Sequence, residues 1–326
     1  MRAALCTEYG SHDKLIVSDE PDPIPEPGQV LIDVHAASLN FADLLVIRGE
    51  YQFKPEPPFV PGAEAAGVVA ALGDGVAGLA VGQRVTSFGV AGAFAERRVA
   101  DVGMVIPIPD EITFETAAAT TMAYGTAYNA LVQRGSLGQR ETLLVLGAAG
   151  GVAAAAVEIG KVLGATVIAA ASTDEKLDFC RSMGADHTIN YTTEDLRQRV
   201  KELTDGVGAD VIYDPVGGDL AEPAFRSIAW GGRYLVIGFA AGAVPAIPLN
   251  LPLLKVASIV GVFFGSFSGK QPRIAAANLA EISRMIVSGE LNPPITEILP
   301  LERVIDAFDL MASRRAMGKV ILKVAG

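Results

Sequence analysis

The hydrophobic and polar positions of this chain follow two different patterns, which change near residue 110. In the first half, short strand-like runs such as those at 30–34, 66–70 and 84–88 alternate with turns rich in proline and glycine. Stretches such as "PDPIPEPG" at 21–28 fit neither a helix nor a central strand, because proline lacks a backbone donor and fixes φ. The first half is therefore predicted to be an all-β module with long connections.

After residue 111, strand-like and helix-like segments alternate. An Ala-rich helical stretch at 115–134 comes first, and the apolar runs at 142–147 and 166–171 are each followed by a helical pattern. Continuous runs of Val, Ile, Leu and Ala are typical of strands in a sheet that is buried on both faces. The alternation predicts βαβ units and a Rossmann-type, doubly wound parallel sheet, whose last strand is the segment "ASIVGVFF" at 257–264.

The end of the chain returns to the β pattern. Segments at 295–301 and 319–324 have strand character and flank a predicted helix at 302–314. Because these elements are too few to form a domain, we expect them to rejoin the first module. The predicted division is a β module of residues 1–118 and 295–326 and a parallel-sheet domain of residues 119–294.

Composition and charge exclude several classes of protein. The 326 residues are 50% hydrophobic and 19% charged, which excludes intrinsic disorder. The balance of 26 basic and 37 acidic residues gives a net charge of −11 without a basic run, which argues against nucleic-acid binding. Two cysteines are too few for a disulfide framework or a structural zinc site. No signal peptide or membrane span is expected, so the expected compartment is the cytoplasm and the expected partner a small molecule.

The segment "VLGAAGGVAAAAVEIGKVLGA" at 145–165 carries the clearest chemical signal. A strand followed by a glycine turn and a helix directs backbone N–H groups and the positive end of the helix dipole at a pyrophosphate. With Gly150 as the middle glycine of the G-x-G-x-x-G pattern, Ala148 and Ala153 stand at the outer positions, of which the last tolerates alanine. Gly150, Gly151 and Val152 are therefore predicted to bind a dinucleotide.

The residues after the second strand of this domain predict which nicotinamide cofactor is bound. NAD sites usually carry Asp or Glu at the end of that strand. Here the strand ends in three alanines, followed by Ser172, with Lys176 one turn into the next helix. Hydroxyls and a lysine suit a 2′-phosphate, which favours NADPH. Asp174 counts against this interpretation, although its place suits the start of a helix, and Lys176 has the alternative role of a solvated helix residue.

Over nearly its whole length the chain resembles the zinc-independent quinone oxidoreductase branch of the medium-chain dehydrogenase/reductase superfamily. The matching motifs, in order, include "NFADLLVIRGEY" (40–51), "PFVPGAEAAGVV" (58–69), "AAGGVA" (148–153), "DPVGG" (214–218), "GGRYLVIG" (231–238) and "GKVIL" (318–322). The resemblance implies a GroES-like β module joined to a Rossmann domain. It further implies NADPH-dependent hydride transfer to a quinone or an α,β-unsaturated carbonyl.

The resemblance also bears on metal. In zinc-dependent relatives a Cys begins the first of these motifs and a His follows the Pro-Gly pair, whereas Asn40 and Ala63 stand at these positions here. Catalytic zinc needs about three protein ligands, and the three histidines lie outside the motifs. No metal is expected. Reduction of a quinone or enone can proceed without one, because the charge delocalises into a hydroquinone or an enolate.

By resemblance, Tyr51 and Asn40 are the catalytic candidates. Tyr51 would donate a proton or hydrogen bond to the substrate, and Asn40 would lie near the nicotinamide; a loop aromatic and an Asx-turn cap are their alternative roles. Asp43 is expected to cap a helix or to form an ion pair with a basic residue such as Arg48. Leu45 stands where some quinone reductases have a second tyrosine, which leaves a more apolar pocket and puts simple quinones in doubt.

The resemblance adds further cofactor contacts. These residues are Thr126, Tyr191, Gly238, Phe239, Phe264, Gly265 and Lys319. Three functions remain open from the sequence: a quinone or enone reductase, a reductase of an enoyl thioester such as an acyl-CoA, and a non-catalytic NADPH-binding protein. The apolar edge strand at 257–264 predicts a homodimer, because pairing with a second copy would remove an exposed edge.

Overall fold

The computed structural model describes residues 1–324. The strands are β1 (Arg2–Leu5), β2 (Ile16–Asp19), β3 (Gln29–Ser38), β4 (Glu64–Leu72), β5 (Arg84–Phe88), β6 (Arg97–Asp101), β7 (Val105–Pro107), β8 (Thr142–Leu146), β9 (Thr166–Ala171), β10 (His187–Asn190), β11 (Ala209–Asp214), β12 (Ile228–Val236), β13 (Ser258–Gly261), β14 (Ile295–Pro300) and β15 (Lys319–Lys323). The helices are α1 (Phe41–Ile47), α2 (Phe114–Tyr128), α3 (Gly151–Val162), α4 (Asp174–Ser182), α5 (Leu196–Leu203), α6 (Ala221–Arg226), α7 (Asn250–Lys255), α8 (Phe264–Lys270), α9 (Pro272–Val287) and α10 (Val304–Ala312).

The chain divides into two compact units. The first consists of Met1–Met122 and the residues from Leu279 onward, and the second is Ala123–Asn278. No helix within residues 1–324 is long and apolar enough to cross a membrane.

The second unit contains the doubly wound parallel sheet, which confirms the predicted fold class. Its strand order is β10-β9-β8-β11-β12-β13, and every neighbouring pair is parallel. Leu144, Ile168 and Ile212 from adjacent strands are fully buried, as the unbroken apolar runs predict. The order reverses next to β8, and ligands of such sheets bind at the carboxyl ends of the strands beside a reversal.

One stretch of this sheet differs from the sequence expectation. The sequence predicts a helix near 219–229 and a strand from 232, whereas α6 ends at Arg226 and β12 already begins at Ile228. The glycine pair within β12 looks like a strand boundary in the sequence. In the structure Gly231 takes a positive φ of 74° inside the strand, so the chain bends there and continues. Helices α7 and α8 are not predicted from the sequence.

The first unit is built on a seven-stranded sheet. The order is β14-β15-β3-β4-β5-β7, with β6 also paired to β3, and β1 and β2 form a separate ribbon. Strand β15, from the end of the chain, pairs antiparallel with β3. Ile32, Phe94 and Phe308 are among the fully buried residues of this core.

The expectation of an all-β first half is wrong at residues 41–47, which form α1. Leu44 and Ile47, three residues apart, are buried on one face of this helix. Asn40 is its N-cap residue and has extended backbone angles. The expected strand-and-turn pattern fails here because the helix is only seven residues long, about two turns, and helical periodicity is recognised in a sequence only over a longer window.

Candidate functional site

The glycine turn lies where the sequence predicts it, between β8 and α3. Gly147 has a φ of +57°, and a Cβ atom there would come within 2.7 Å of Val216 Cγ2, so only glycine fits. Gly150 is the N-cap residue of α3 and offers no side-chain cap. The first N–H groups of a helix, here those of Gly151 and Val152, have no partner within the helix. The turn therefore fits the pyrophosphate of a dinucleotide.

Ser172 and Lys176 lie together after β9. The Lys176 ammonium donates to Ser172 Oγ at 3.4 Å, and Thr173 caps α4 by accepting the Lys176 N–H at 3.3 Å. Asp174 does not take the place of a ribose-binding acid at the strand tip. Its carboxylate begins α4 and accepts from Asn190 Nδ2 at 2.9 Å. This donor set fits a 2′-phosphate better than a 2′-hydroxyl.

Tyr191 follows β10 directly and lies at the same edge of the sheet as Ser172. Its N–H donates to Ala171 O at 3.2 Å, and the next residue, Thr192, donates its hydroxyl to Ser172 O at 3.1 Å. The ring is partly buried against the core of the second unit. Ser172, Lys176 and Tyr191 are thus brought together by the ends of β9 and β10.

The remaining predicted cofactor residues of the second unit form two further groups. Thr126 lies on α2 beside Gly125, where a Cβ would come within 2.6 Å of the Phe264 ring, so Thr126 and the Phe264–Gly265 start of α8 are neighbours. Gly238 and Phe239 follow β12, and the Phe239 ring lies 2.9 Å from the position of a Cβ on Gly217.

Asn40 and Lys319, both in the first unit, are joined by a residue that the sequence reasoning did not single out, Glu64. The Lys319 ammonium donates to Glu64 Oε1 at 2.9 Å and to Asn40 Oδ1 at 2.8 Å, and Asn40 Nδ2 donates to Glu64 Oε1 at 2.9 Å. Glu64 is 0% and Lys319 3% exposed. The three side chains form a buried, closed network.

The hydrogen-bonding capacity of this network is nearly used up. Lys319 has a third acceptor, Leu39 O, at 3.2 Å, so each of its three protons has a partner. Asn40 Nδ2 also donates to Ser38 O at 3.3 Å, so both of its protons have acceptors, and Oδ1 accepts from Lys319. Glu64 Oε2 accepts from the Met122 N–H at 2.8 Å. Lys319 donates all of its protons to acceptors within the first unit, and its contact with the cofactor stays a prediction.

Asp43 is buried next to this network and has an altered pKa. Its Oδ2 accepts from the Asn40 N–H at 2.8 Å, which is the cap role expected from the sequence, while Oδ1 has no hydrogen-bond partner within residues 1–324. Burial raises the pKa of Asp43 to about 7, against the opposing effects of the Asn40 N–H and the Lys319 charge.

Arg98 is a second buried cation near these acids. Its guanidinium donates to carbonyl groups, those of Ala63 at 3.5 Å and of Ser87 and Ala91 at 3.3 Å. Burial lowers the pKa of Arg98 to about 10, partly offset by the charges of Asp43 and Glu64.

Tyr51 is half-buried on the loop after α1. Within residues 1–324 its hydroxyl has no hydrogen-bond partner, and its ring is tilted against Phe53 at 6.3 Å between centroids. Burial, together with the nearby Asp43 carboxyl, raises the pKa of Tyr51. The phenol therefore stays protonated at neutral pH and is available as a donor.

No cluster that could hold a metal was found among residues 1–324, where no three His, Cys, Asp or Glu side chains converge. Lys319 Nζ contacts Asn40, which by the resemblance stands at one zinc-ligand position of the zinc-dependent relatives, and Glu64, which follows the other such position, Ala63.

Two family models match the chain, the alcohol dehydrogenase GroES-like domain over residues 26–110 and the zinc-binding dehydrogenase domain over residues 151–281. A quinone oxidoreductase-like protein 2 homolog of Nematostella vectensis is 39% identical over 98% of this chain and 88% of its own length. The chain belongs to the quinone oxidoreductase branch of the medium-chain dehydrogenase/reductase superfamily.

Two further relatives of this quinone oxidoreductase-like chain are informative. The Escherichia coli quinone oxidoreductase, solved in complex with NADPH, superposes with a TM-score of 0.93 at 27% identity, covering 99% of this chain and 100% of that one. A phenolphthiocerol/phthiocerol polyketide synthase of Mycobacterium tuberculosis is 33% identical over 97% of this chain, which spans 14% of that much longer protein.

Sequence reasoning on this quinone oxidoreductase-like chain missed Glu64, Arg98, Asp214 and Tyr234. A usable signal existed for Glu64, since an acid inside the apolar run "AEAAGVV" at 63–69 needs a buried partner. Arg98 carries no comparable signal, because a basic residue on a predicted strand usually faces solvent.

Proposed function

We propose that the protein is an NADPH-dependent oxidoreductase that transfers a hydride to a quinone or an α,β-unsaturated carbonyl without zinc. The observation that carries this proposal is the glycine turn at the start of α3 together with the adjacent Ser172 and Lys176 pair. The similarity to a quinone oxidoreductase solved with NADPH supports it.

Each residue group has a distinct part in this proposal. Bound NADPH supplies the hydride. The N–H groups at the start of α3 hold the pyrophosphate, and Ser172, Lys176 and Tyr191 hold the adenosine phosphate. Asn40 lies near the nicotinamide, while Tyr51 donates to the oxygen of the acceptor as it gains charge.

A second candidate function is reduction of an enoyl thioester. The similarity to a polyketide synthase over 97% of this chain favours it. Leu45 also favours it, because an apolar residue in place of a second tyrosine suits an acyl chain better than a quinone ring.

A substrate panel separates the two candidates. Purified protein with NADPH would be assayed against quinones, short enones and enoyl-CoA thioesters, with and without a zinc chelator. We expect the highest kcat/KM on a quinone or enone and no loss on chelation. A preference for the thioester would favour the second candidate, and activity that depends on zinc would refute the metal-free mechanism.

The cofactor preference gives a specific prediction. NADPH should bind at least about tenfold more tightly than NADH, a difference of about 1.4 kcal/mol. Lys176→Met should narrow this ratio by weakening NADPH alone, whereas Lys201→Met, on the exposed face of α5, should not change it. Fluorescence titration of both cofactors measures the ratio, and equal affinities in the wild type would contradict the assignment of Ser172 and Lys176.

We further propose a homodimer formed through β13. This strand is the edge of the sheet in the second unit, and Ile259 on it is 43% exposed. Trp230, on the neighbouring strand β12, is 74% exposed, so the edge is apolar. Light scattering at micromolar concentration should give twice the chain mass for the wild type and the single mass for Ile259→Glu. A wild-type monomer would refute the dimer.

A further inference from the structure

Asp214, at the end of β11, is a buried carboxylate with an unusual set of partners. It is 3% exposed, and within residues 1–324 it takes part in no ion pair. Its Oδ1 accepts from the N–H groups of Val216 at 2.7 Å and Gly217 at 2.8 Å. Its Oδ2 accepts from the hydroxyl of Tyr234. A buried charge without a counter-ion depends on each of its hydrogen bonds.

Tyr234 supplies the one side-chain donor to this carboxylate within the described residues. It lies on β12, directly beside β11, and is 2% exposed, with its ring tilted against Phe225. Burial and the adjacent carboxylate raise the pKa of Tyr234, so its phenol remains a donor at all physiological pH values. Without that hydroxyl, Oδ2 would be left without a partner.

The three hydrogen bonds fix the loop after β11, residues 215–218, against the loop after β12, residues 237–243. The Ile237 N–H donates to Asp214 O at 2.9 Å, and the Ala241 N–H donates to Val216 O at 2.9 Å. Gly218 N–H donates to Ala243 O at 3.1 Å. The two loops are therefore one hydrogen-bonded structure with Asp214 at its base.

This pair of loops touches two parts of the cofactor site. Val216 packs so closely on Gly147 of the glycine turn that a Cβ there would clash at 2.7 Å. Gly217, with a φ of +65°, packs against the ring of Phe239, one of the predicted cofactor contacts. A shift of the loop at 215–218 would thus move both the pyrophosphate turn and Phe239.

We propose that Tyr234 is a positioning residue for NADPH: through Asp214 it orders the loops at 215–218 and 237–243, and so sets the geometry of the glycine turn and Phe239. This inference rests on the proposed function for its ligand, while the ordering of the loops is a property of the protein without cofactor.

The test compares two tyrosines that lie on neighbouring strands. Tyr234→Phe removes the hydroxyl that binds Asp214. Tyr213→Phe is the matched control, because the Tyr213 hydroxyl is buried and has no partner within residues 1–324. Asp214→Asn is a milder variant, which keeps an oxygen for the two N–H groups but loses the charge.

Without cofactor, hydrogen exchange of the Val216 and Gly217 amides should be at least about tenfold faster in Tyr234→Phe than in the wild type or Tyr213→Phe. The Kd for NADPH should rise about tenfold in Tyr234→Phe and less in Asp214→Asn, with kcat at saturating NADPH changed far less than KM for NADPH. The split between kcat and KM would not arise from a general loss of folded protein.

The outcomes distinguish the two proposals. Wild-type protein that binds no NADPH refutes the proposed function, and with it the ligand of this inference. If the wild type binds NADPH and Tyr234→Phe binds it as tightly as Tyr213→Phe does, the positioning role alone is refuted. Unchanged exchange of the Val216 and Gly217 amides in Tyr234→Phe also refutes it, whatever the affinity.

Discussion

Replacing Lys319 by methionine is expected to lower the free energy of unfolding of the first unit by about 3–5 kcal/mol. The substitution leaves Glu64, which is 0% exposed, as an unpaired charge in the core and removes a donor from Asn40. Breaking a buried pair from one side is costly because the remaining charge cannot reach water. Urea denaturation at pH 7, followed by far-UV circular dichroism, measures the change.

The same unit offers a control with the same change of residue. Lys14 pairs with Glu8 at 2.7 Å, but both side chains are at least half exposed, and Lys14→Met should lower the free energy of unfolding far less than Lys319→Met. A double variant, Lys319→Met with Glu64→Gln, should recover part of the loss, since it leaves no buried charge. Equal, small losses in Lys319→Met and Lys14→Met would contradict the description of the Lys319 network as a buried, closed pair.

The parallel sheet could be predicted from the sequence because its signal is local. Strand β9 is expected at 166–171 and has these bounds, since an unbroken apolar run followed by a helix has one simple interpretation. Helix α1 could not be predicted in this way, because seven residues are too few for a helical period to be recognised. The start of β12 was missed because a glycine pair inside a strand resembles the end of one.

The candidate site was predictable to a different degree in its two parts. The glycine turn and the residues after β9 are consecutive or nearly so, and their chemistry is visible in short motifs. The network around Glu64 is not local, because Lys319 lies 255 residues from Glu64 in the sequence. The resemblance pointed to Asn40 and Lys319 as site residues. It did not indicate how few free hydrogen-bonding positions these two side chains retain, because that depends on their buried neighbours.

The few free hydrogen-bonding positions of Asn40 and Lys319 limit which residue can donate to the substrate. Asn40 and Lys319 are committed to their buried partners and have no free donor for a substrate oxygen. Asp43 is only 1% exposed, so its carboxyl lies out of reach of a substrate. Tyr51 is the candidate with a hydroxyl that is both protonated and without a partner in the described part of the chain. We therefore propose Tyr51 as the hydrogen-bond donor to the acceptor.

Tyr51→Phe should accordingly lower kcat on an enone by about 10²-fold, within the range of general acid catalysis. Hydride addition to an enone gives an enolate, whose delocalised charge lies mainly on its single oxygen, and the phenol stabilises it by donating a proton or a hydrogen bond. The Kd for NADPH should barely change, because Tyr51 belongs to the first unit and the glycine turn to the second. Stopped-flow measurement of NADPH oxidation, with a parallel fluorescence titration, separates the two quantities.

A quinone provides the internal control for this substitution. When a quinone accepts a hydride, the negative charge of the product delocalises over the ring, and solvent can protonate it. The loss of kcat in Tyr51→Phe should therefore be several-fold smaller on the quinone than on the enone. The ratio of the two losses is more informative than either loss alone, because a displaced loop would slow both reactions equally. Equal losses on both substrates would assign Tyr51 to the shape of the pocket, and unchanged rates on both would remove it from the mechanism.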